Sequence, residues 1–333
     1  MSENNILITG GFGLIGSNLI KILLKKNFKI VIIDNLSNGN LKNIRLFKKF
    51  SKKNNITFYK IDLNDFSKVK NVFEKHPIKY IVHLAAISSV FMGIKYPKKV
   101  LYNNINSTRN LIKLAKKFSI NYFIFSSSAS VYGNINFKKN IKENTKTIPL
   151  NAYAKSKIIC ERLIKKNSIG NSYKFCIFRY FNVVGKNFIH NEKKKRYMNL
   201  FESINYCIKK KKIFKIHGKN LNTDDGTPIR DFIYIDDLVS AHYLTLNIHK
   251  STFWNNIYNI GYNNGISVLE IINQSKKIFK NKLKYKFVNI EKSVIIKSVA
   301  NNRKFLKISN WKPKFSGVLK IVNNYFLSNS LKN

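Results

Sequence analysis

A glycine-rich stretch near the start of the chain, residues 6–16, reads ILITGGFGLIG. Its first four residues are apolar or β-branched, as in a buried strand, and a helical pattern begins directly after the glycines. Glycines in such a turn let the backbone approach a pyrophosphate closely, and the free amides of the following helix attract its charge. The stretch therefore predicts a dinucleotide site formed by Gly10, Gly13, Leu14, Ile15 and Gly16.

An acidic residue, Asp34, follows the second predicted strand, roughly 20 residues beyond the glycines. A carboxylate at this place accepts hydrogen bonds from both ribose hydroxyls of an adenosine, and its charge repels a 2′-phosphate. The expected cofactor is therefore NAD rather than NADP, with Asn35 as a neighbouring contact. Asp34 also opens the turn DNLSNG, and this structural role is compatible with ribose binding.

Short apolar runs alternate with amphipathic stretches through the first half of the chain. They predict strands at residues 6–9, 30–33, 58–61, 80–84 and 122–126, and helices at residues 14–26 and about 98–117. Nearly continuous apolar strands separated by helices are typical of a parallel sheet that is covered on both faces. The predicted fold class is α/β, with a doubly wound parallel-sheet Rossmann domain.

The alternation loosens after Arg179, and acidic residues cluster there in a chain that otherwise has few: Asp224, Asp225, Asp231, Asp236 and Asp237. A chain of 333 residues is long enough for one large domain and a smaller companion. We therefore expect an NAD-binding Rossmann domain at residues 1–180 and a smaller α/β domain, mainly substrate-binding, at residues 181–333. Ligands belong in the crevice between them.

The formal charge of +45 at pH 7 first suggests a nucleic acid or an anionic membrane as partner. Most of this charge comes from lysines spread along the chain beside many Asn, Ile, Phe and Tyr residues, a bias expected of an A- and T-rich coding sequence. We interpret the lysines as solvated surface and expect neither nucleic acid nor membrane as a partner. A basic surface still favours anionic substrates.

The three cysteines, Cys160, Cys176 and Cys207, form no CxxC pair and leave one over. Neither a disulfide framework nor a zinc site is expected, and we predict no metal. The first residues enter a strand without a signal-peptide pattern, and no apolar run approaches the ~20 residues that span a bilayer. These features predict a cytoplasmic protein in a reducing compartment.

Three residues form a candidate catalytic group. The sequence NAYAKSK places Tyr153 and Lys157 four residues apart, on one face of a predicted helix. An ammonium group there, together with an oxidised nicotinamide, favours the phenolate and lowers the pKa of Tyr153 toward that of a general base. Ser128 follows the fifth predicted strand, at the sheet edge where ligands collect, and a serine there can relay a proton.

The chain resembles the UDP-glucose 4-epimerases, within the extended short-chain dehydrogenase/reductase family, along nearly its whole length. The resemblance rests on the Tyr153/Lys157 pair and on the stretches GGFGLIGSN, DNLSNG, HLAA, FSSSASVYG, RYFNVVG and DGTPIRDFIYIDDL. It implies an NAD-dependent isomerase that inverts the 4-hydroxyl of a UDP-hexose, either UDP-glucose/UDP-galactose or the N-acetylated pair, through a transient 4-keto sugar. In that reaction Tyr153, assisted by Ser128, removes the hydroxyl proton while a hydride passes to NAD.

The resemblance also implies further binding residues. For the cofactor these are Asp62, Leu63, Leu84, Ala85, Ala86, Asn103 and Phe181, within a wall that continues to Ser88. For the UDP-sugar they are Ser128, Asn182, Asn199, Leu200, His217, Arg230 and Ser298. Arg230 is the expected diphosphate clamp, since a guanidinium is always charged and binds two oxygens at once.

Several positions depart from the family pattern. Glu291, Lys292, Ser293 and Val294 replace the usual Arg-Pro-Gly-Asp stretch that grips the nucleotide. His217 stands where an aromatic residue stacks on uracil, and Ser88 replaces a common lysine. Alignment from Ala300 places Ser298 where the family limits the space beside carbon 2 of the sugar, so a small serine predicts room for an acetamido group.

Two other functions remain open. A nucleotide-sugar 4,6-dehydratase or another epimerase of the same family is one, but a dehydratase needs an acid pair beside the catalytic hydroxyl, where this chain has Ala129 and Ser130. A catalytically silent NAD-fold protein that binds RNA is the other, and the charge of +45 favours it. The intact group of Ser128, Tyr153 and Lys157 argues against it, because a silent protein needs none of them.

The expected assembly is a homodimer. The predicted helix at residues 98–117 carries more apolar residues than one sheet-facing stripe requires: Val100, Leu101, Ile105, Thr108, Leu111 and Ile112. A deeply buried helix explains this equally well from the residues alone. The family resemblance implies a four-helix bundle formed by this helix and the helix at residues 153–166 of each subunit.

Overall fold

Strands and helices alternate through most of the chain in a computed structural model that describes residues 5–38, 42–50, 55–134, 139–170, 173–186, 198–289 and 295–327. The strands in these ranges are β1 (Asn5–Thr9), β2 (Lys29–Ile33), β3 (Ile56–Tyr59), β4 (Ile78–His83), β5 (Tyr122–Ser128), β6 (Lys174–Tyr180), β7 (Asn182–Val184), β8 (Phe214–His217), β9 (Ile229–Arg230), β10 (Phe232–Tyr234), β11 (Asn256–Ile260), β12 (Ile266–Ser267), β13 (Tyr285–Val288) and β14 (Lys297–Ser298).

The α-helices of the same ranges mostly follow a strand and return the chain to the start of the next one. They are α1 (Leu14–Lys25), α2 (Lys42–Phe50), α3 (Phe66–Lys75), α4 (Val90–Lys95), α5 (Pro97–Lys117), α6 (Ala152–Asn167), α7 (Leu200–Lys209), α8 (Ile235–Leu246), α9 (Val268–Ile278), α10 (Arg303–Ser309) and α11 (Val318–Leu327). In the described part of the chain, none of these helices combines the length and the apolar character that crossing a membrane requires.

The central sheet has the strand order β11-β6-β5-β4-β1-β2-β3, and every neighbouring pair is parallel. The order runs outward from β1 in both directions, through β2 and β3 on one side and through β4, β5 and β6 on the other. A crevice opens between β1 and β4 because the chain leaves these two strands toward opposite faces. The predicted doubly wound α/β fold is confirmed.

Alternate side chains of each central strand enter the cores on opposite faces of the sheet. Ile6 and Ile8 of β1 join the core that contains residues of α1 and α8, whereas Leu7 joins the core that contains residues of α3, α5 and α6. All three are at most 1% exposed. Full burial of such a side chain contributes roughly 1.5–3 kcal/mol, so both helical layers are held to the sheet by apolar contact.

The second half of the chain forms three small sheets and also supplies β11 to the central sheet. One small sheet pairs β7 with β10, another pairs β8 with β13, and the third has the strand order β12-β9-β14.

Two buried carboxylates hold this half together. Asp231 accepts hydrogen bonds from the amides of Tyr262, Asn263 and Ala300. Asp237 accepts one from the Tyr262 hydroxyl and others from backbone amides of residues 314 and 315. These members of the acidic cluster are therefore structural.

A buried ion pair joins α6 to β6. The guanidinium of Arg179 donates to both oxygens of Glu161, at 3.0 Å from Nε and 2.6 Å from Nη2. Arg179 also donates to the Tyr132 hydroxyl and to the backbone carbonyl of Glu143. Burial acts to lower the pKa of Arg179, but Glu161 and Tyr132 together raise it overall. The guanidinium stays charged and connects four segments of the Rossmann domain.

Replacing Arg179 by Met should destabilise the fold strongly, because it leaves the Glu161 carboxylate buried without its counter-charge. The expected loss in the free energy of unfolding is about 3–5 kcal/mol, measured by urea unfolding at pH 7. Arg162→Met, an exposed neighbour on α6, serves as the control and should change stability by less than about 0.5 kcal/mol. Equal stability of the two variants would contradict the role of the ion pair.

Candidate active site

A cavity of about 700 Å³ occupies the crevice at the carboxyl ends of the central strands. All the cofactor contacts expected from the sequence lie on its wall: Gly10, Gly13, Leu14, Ile15, Gly16, Asp34, Asn35, Asp62, Leu63, Leu84, Ala85, Ala86, Asn103 and Phe181. The three candidate catalytic residues, Ser128, Tyr153 and Lys157, line the same cavity. One space therefore joins the dinucleotide turn to the catalytic group, although each contact with a ligand stays a prediction.

The glycine turn leaves room for backbone only. Gly10 has φ +70°, and a Cβ placed there would lie 2.8 Å from the Cα of Ala85 at the end of the neighbouring strand. A Cβ on Gly16 would lie 2.5 Å from the carbonyl oxygen of Gly10. Helix α1 begins after Gly13, and no side chain caps its first amides. This cradle fits a dinucleotide, because its free amides face the cavity at a helix N-terminus.

Asp34 has the structural role expected of it and also lines the cavity. Its carboxylate accepts hydrogen bonds from the amides of Phe12, at 3.0 Å, and Leu36, at 2.8 Å. Burial raises the pKa of Asp34, and these two hydrogen bonds oppose the rise. The residue thus ties the glycine turn to the end of β2 and presents an acidic group to the cavity, as ribose binding requires.

A network of polar side chains forms the adjoining wall. The carboxylate of Asp62 accepts hydrogen bonds from the side chains of Asn35 and Asn64, and Asn64 also donates to Asn103 Oδ1 at 3.1 Å. Burial acts to raise the pKa of Asp62, but the hydrogen bonds lower it overall. These bonds hold the carboxylate ionised, and they connect the end of β3 to helix α5.

Tyr153 and Ser128 meet inside the cavity. Tyr153 lies in the first turn of α6, whose N-cap Asn151 accepts a hydrogen bond from the Ala154 amide at 2.9 Å. Ser128 Oγ accepts two hydrogen bonds from Ser130, one from its amide and one from its hydroxyl. The Ser128 proton is then available to the Tyr153 hydroxyl, and a hydrogen bond of this kind lowers the pKa of the phenol.

Burial raises the pKa of Tyr153, and the hydrogen bond from Ser128 opposes the rise. The lowering expected from the sequence also requires an oxidised nicotinamide, so it stays a prediction. The Lys157 ammonium does not offset the effect of burial on this pKa. Its Nζ donates to the Ser126 carbonyl at 2.7 Å and lies 5.8 Å from the centre of the Tyr153 ring. Burial also lowers the pKa of Lys157 to about 8, although the nearby Cys160 and Glu161 act to raise it. The phenolate therefore needs further positive charge in the cavity, which an oxidised nicotinamide carries.

The expected sugar residues are only partly gathered at the cavity. Of these, Ser128 and Asn199 line it; Asn199 also caps α7, where its Oδ1 accepts a hydrogen bond from the Glu202 amide. Asn182 and His217 lie exposed on β7 and β8, and Leu200 begins α7. Their contacts with a nucleotide sugar stay predictions.

Arg230 and Ser298 pair with each other across β9 and β14. The guanidinium of Arg230 donates to the backbone carbonyls of residues 229, 295 and 296, and burial lowers its pKa to about 10. These bonds use three of the five guanidinium N–H donors, and the contact of Arg230 with a diphosphate stays a prediction. Ser298 is buried, with its carbonyl accepting the Asp231 amide. The stretch Glu291 to Val294, which replaces the family's Arg-Pro-Gly-Asp, lies outside the described residues.

The structure adds wall residues that the sequence did not indicate: Ile33, Ser37, Asn38, Ile61, Lys99, Ser107, Ser126, Ser127, Tyr180 and Val183. Ile33 and Ile61 immediately precede the predicted contacts at Asp34 and Asp62, so the rule that ligands gather at strand ends is a usable signal for them. The positions of Lys99 and Ser107 depend on how α5 packs. Within the described ranges, no three acidic, His or Cys side chains form a potential metal site.

Comparison with known proteins places these features in a family. The model of the NAD dependent epimerase/dehydratase family matches residues 6–261. A UDP-glucose 4-epimerase of Dictyostelium discoideum is 32% identical over 316 residues, which cover 93% of this chain and 91% of that protein.

Solved structures agree with the sequence relatives. The UDP-Glc/GlcNAc 4-epimerase of Campylobacter jejuni is 34% identical, with a TM-score of 0.85 over 97% of this chain and 98% of that one. The UDP-glucose 4-epimerase of Bifidobacterium longum, in complex with NAD⁺ and UDP, is 27% identical, with a TM-score of 0.87 over 98% and 99%. The chain belongs to the NAD-dependent epimerase/dehydratase family.

Proposed function

We propose that the protein is an NAD-dependent UDP-hexose 4-epimerase, an isomerase that interconverts UDP-glucose and UDP-galactose. The observation that carries the proposal is the single cavity lined by the glycine turn, Asp34 and the group of Ser128, Tyr153 and Lys157. The relatives and solved structures named above are epimerases of UDP-sugars, and one of them contains NAD⁺ and UDP. Family and geometry therefore support the same reaction.

The chain's own residues supply the proton transfer. The phenolate form of Tyr153 accepts the proton of the sugar's 4-hydroxyl and becomes the neutral phenol. The Ser128 hydroxyl, held by Ser130, donates a hydrogen bond that stabilises the phenolate. Lys157 is fixed on the Ser126 carbonyl, 5.8 Å from the centre of the Tyr153 ring, and its charge would favour the phenolate together with the positive charge of bound NAD⁺. When bound, NAD supplies a reversible hydride acceptor. Tyr153 returns the proton to the 4-oxygen after inversion, so no external base is consumed.

The dehydratase alternative lacks the side chains it requires. The residues after Ser128, Ala129 and Ser130, enter a 3₁₀ helix at residues 129–132, and neither can act as an acid or a base at neutral pH. For the RNA-binding alternative, we propose that the basic surface is solvated, because the catalytic group is intact and faces the cavity. We infer a cytoplasmic setting from the three free cysteines, two of them buried, which fit a reducing compartment.

We also retain the division into an NAD-binding part, residues 1–180, and a mainly nucleotide-sugar-binding part, residues 181–333, and we propose a homodimer. On α5, Val100, Thr108, Leu111 and Ile112 are buried within the chain, whereas Leu101 and Ile105 are partly exposed and Tyr102 is 66% exposed. These remaining apolar groups, beside α6, support a bundle of α5 and α6 from two subunits.

The homodimer predicts twice the chain mass of 38.8 kDa by light scattering at micromolar concentration. Leu101→Glu and Ile105→Glu together should shift the protein to monomers, because they place charges in the apolar contact. Lys113→Glu, on the same helix, is the control and should leave the dimer intact. A monomer in the unmodified protein would exclude the proposal.

Tyr153→Phe tests the proposed function most simply, because it removes one hydroxyl and almost no volume. The rate of UDP-glucose epimerisation should fall on the order of 100-fold to 10,000-fold while NAD stays bound, with a smaller loss for Ser128→Ala. Tyr102→Phe, an exposed tyrosine outside the cavity wall, is the matched control and should keep full activity. Near-normal turnover by Tyr153→Phe would remove Tyr153 from the mechanism.

Ser298 carries the proposal on substrate breadth. Because a small side chain leaves space beside carbon 2, UDP-N-acetylglucosamine should be epimerised with an efficiency within about tenfold of UDP-glucose, a difference of ~1.4 kcal/mol. Ser298→Tyr should suppress the N-acetylated substrate selectively, and Ser298→Ala should suppress neither. Equal loss of both activities in Ser298→Tyr, or no turnover of the N-acetylated sugar by the unmodified protein, would show that Ser298 is not the gate.

A further inference from the structure

A continuous chain of hydrogen bonds runs beneath the cavity from the wall at β1 and β4 to the backbone of Tyr153. Its members are Thr9, His83, Thr108, Asn104 and Ser156, all of them buried. The described part of the cavity wall includes none of these five residues, although their neighbours Gly10, Ala85, Ser107 and Lys157 line it. The proposed reaction assigns them no role.

The first half of this chain has a single direction of donation. Thr108 Oγ1 donates to the Asn104 carbonyl at 2.8 Å, so it accepts the proton of His83 Nε2 at 3.1 Å. His83 Nδ1 then carries no proton and accepts from Thr9 Oγ1 at 2.8 Å, while Thr9 Oγ1 accepts from the Ala85 amide. Burial lowers the pKa of His83 to about 3, which keeps the ring neutral at physiological pH.

The second half of the chain reaches the catalytic helix. The side chain of Asn104 accepts a hydrogen bond from the Ile87 amide at 2.9 Å, which fixes the loop after β4. Its Nδ2 donates to Ser156 Oγ at 3.0 Å. Ser156 Oγ in turn donates to the Tyr153 carbonyl at 2.7 Å. Asn104 therefore connects the cavity wall to the first turn of α6.

Helix α4 holds Tyr153 from another side. A Cβ on Gly93 would lie 2.8 Å from the Tyr153 amide nitrogen and 3.1 Å from its Cβ. The backbone of α4 therefore contacts Tyr153 directly, and the tyrosine has little freedom to move toward that helix. Catalytic groups lose activity when they are displaced by small distances, so contacts that fix the backbone here affect the rate.

We propose that the hydrogen-bond chain of Thr9, His83, Thr108, Asn104 and Ser156 sets the position of Tyr153 relative to the cofactor wall, with Thr108 and Ser156 as positioning residues. The chain joins the Ala85 amide, beside Gly10 in the dinucleotide cradle, to the carbonyl of the catalytic tyrosine. Loss of the Thr108 hydroxyl removes the acceptor of His83 Nε2, and loss of the Ser156 hydroxyl breaks the link between Asn104 and the Tyr153 carbonyl.

Two variants with a matched control test this inference, which rests on the proposed epimerase activity. Thr108→Val and Ser156→Ala should each lower kcat for UDP-glucose by about tenfold, ~1.4 kcal/mol in activation free energy, with KM changed by less than about twofold. Thr108→Ser keeps the hydroxyl and should retain kcat. Thr108→Val should also release NAD several times faster than Thr108→Ser, because the wall at Ala85 loosens.

The outcomes separate positioning from mere stability. Normal kcat in Ser156→Ala and in folded Thr108→Val, even with a lowered Tm, would overturn the inference, as would equal damage by Thr108→Ser. If Thr108→Val does not fold, the Ser156→Ala variant alone decides. It is expected to fold, because residue 156 lies in α6 and alanine favours a helix. If the unmodified protein epimerises no UDP-sugar, the proposed function fails, and the NAD release rates of the two Thr108 variants still test the chain.

Discussion

The close contact between the glycine turn and the end of β4 is the constraint on which the site depends. A side chain on Gly10 would collide with the backbone at Ala85, so the crevice between β1 and β4 keeps its shape only while residue 10 is glycine. That contact fixes the position of the first turn of α1 relative to the wall at the end of β4. The shape of the dinucleotide cradle and the access from it to the catalytic group both depend on this close backbone contact.

Helix α6 brings the chemistry to this crevice, and it is fastened to the end of β5 at successive points. The Lys157 ammonium binds the Ser126 carbonyl, and one turn later the Glu161 carboxylate accepts the Ser127 hydroxyl while it holds Arg179. These bonds place the first turn of α6 beside Ser128. Burial of Tyr153 itself raises its pKa, so these bonds fix the position of the tyrosine but do not by themselves favour its phenolate form.

Periodicity and local motifs predicted most of the Rossmann domain, because those signals are local. The first helix was expected at residues 14–26 and forms at Leu14–Lys25; the fifth was expected at about 98–117 and forms at Pro97–Lys117. The third strand, expected at 58–61, forms at Ile56–Tyr59, because pairing with Lys29–Ile33 sets its register. Two-residue strands such as β9, β12 and β14 are too short for any periodic signal.

The site divides in the same way. Glycines, Asp34 and the Tyr153/Lys157 spacing are readable because each is a local pattern that chemistry requires. The pairing of Glu161 with Arg179 and the partners of His83 depend on contacts between distant segments, which no spacing encodes. For Arg230 the sequence and the fold give different contacts. The family resemblance implies a diphosphate clamp, whereas in the fold the guanidinium donates to backbone carbonyls.

The central claim is that the cavity performs a reversible oxidation in which the hydride removed from carbon 4 returns to the same carbon. The direct measurement is to run the purified protein with UDP-glucose in deuterium oxide and to examine carbon 4 of the UDP-galactose formed. The account predicts full conversion to equilibrium with no deuterium at that carbon. Deuterium at carbon 4, or the absence of any UDP-galactose, would contradict it.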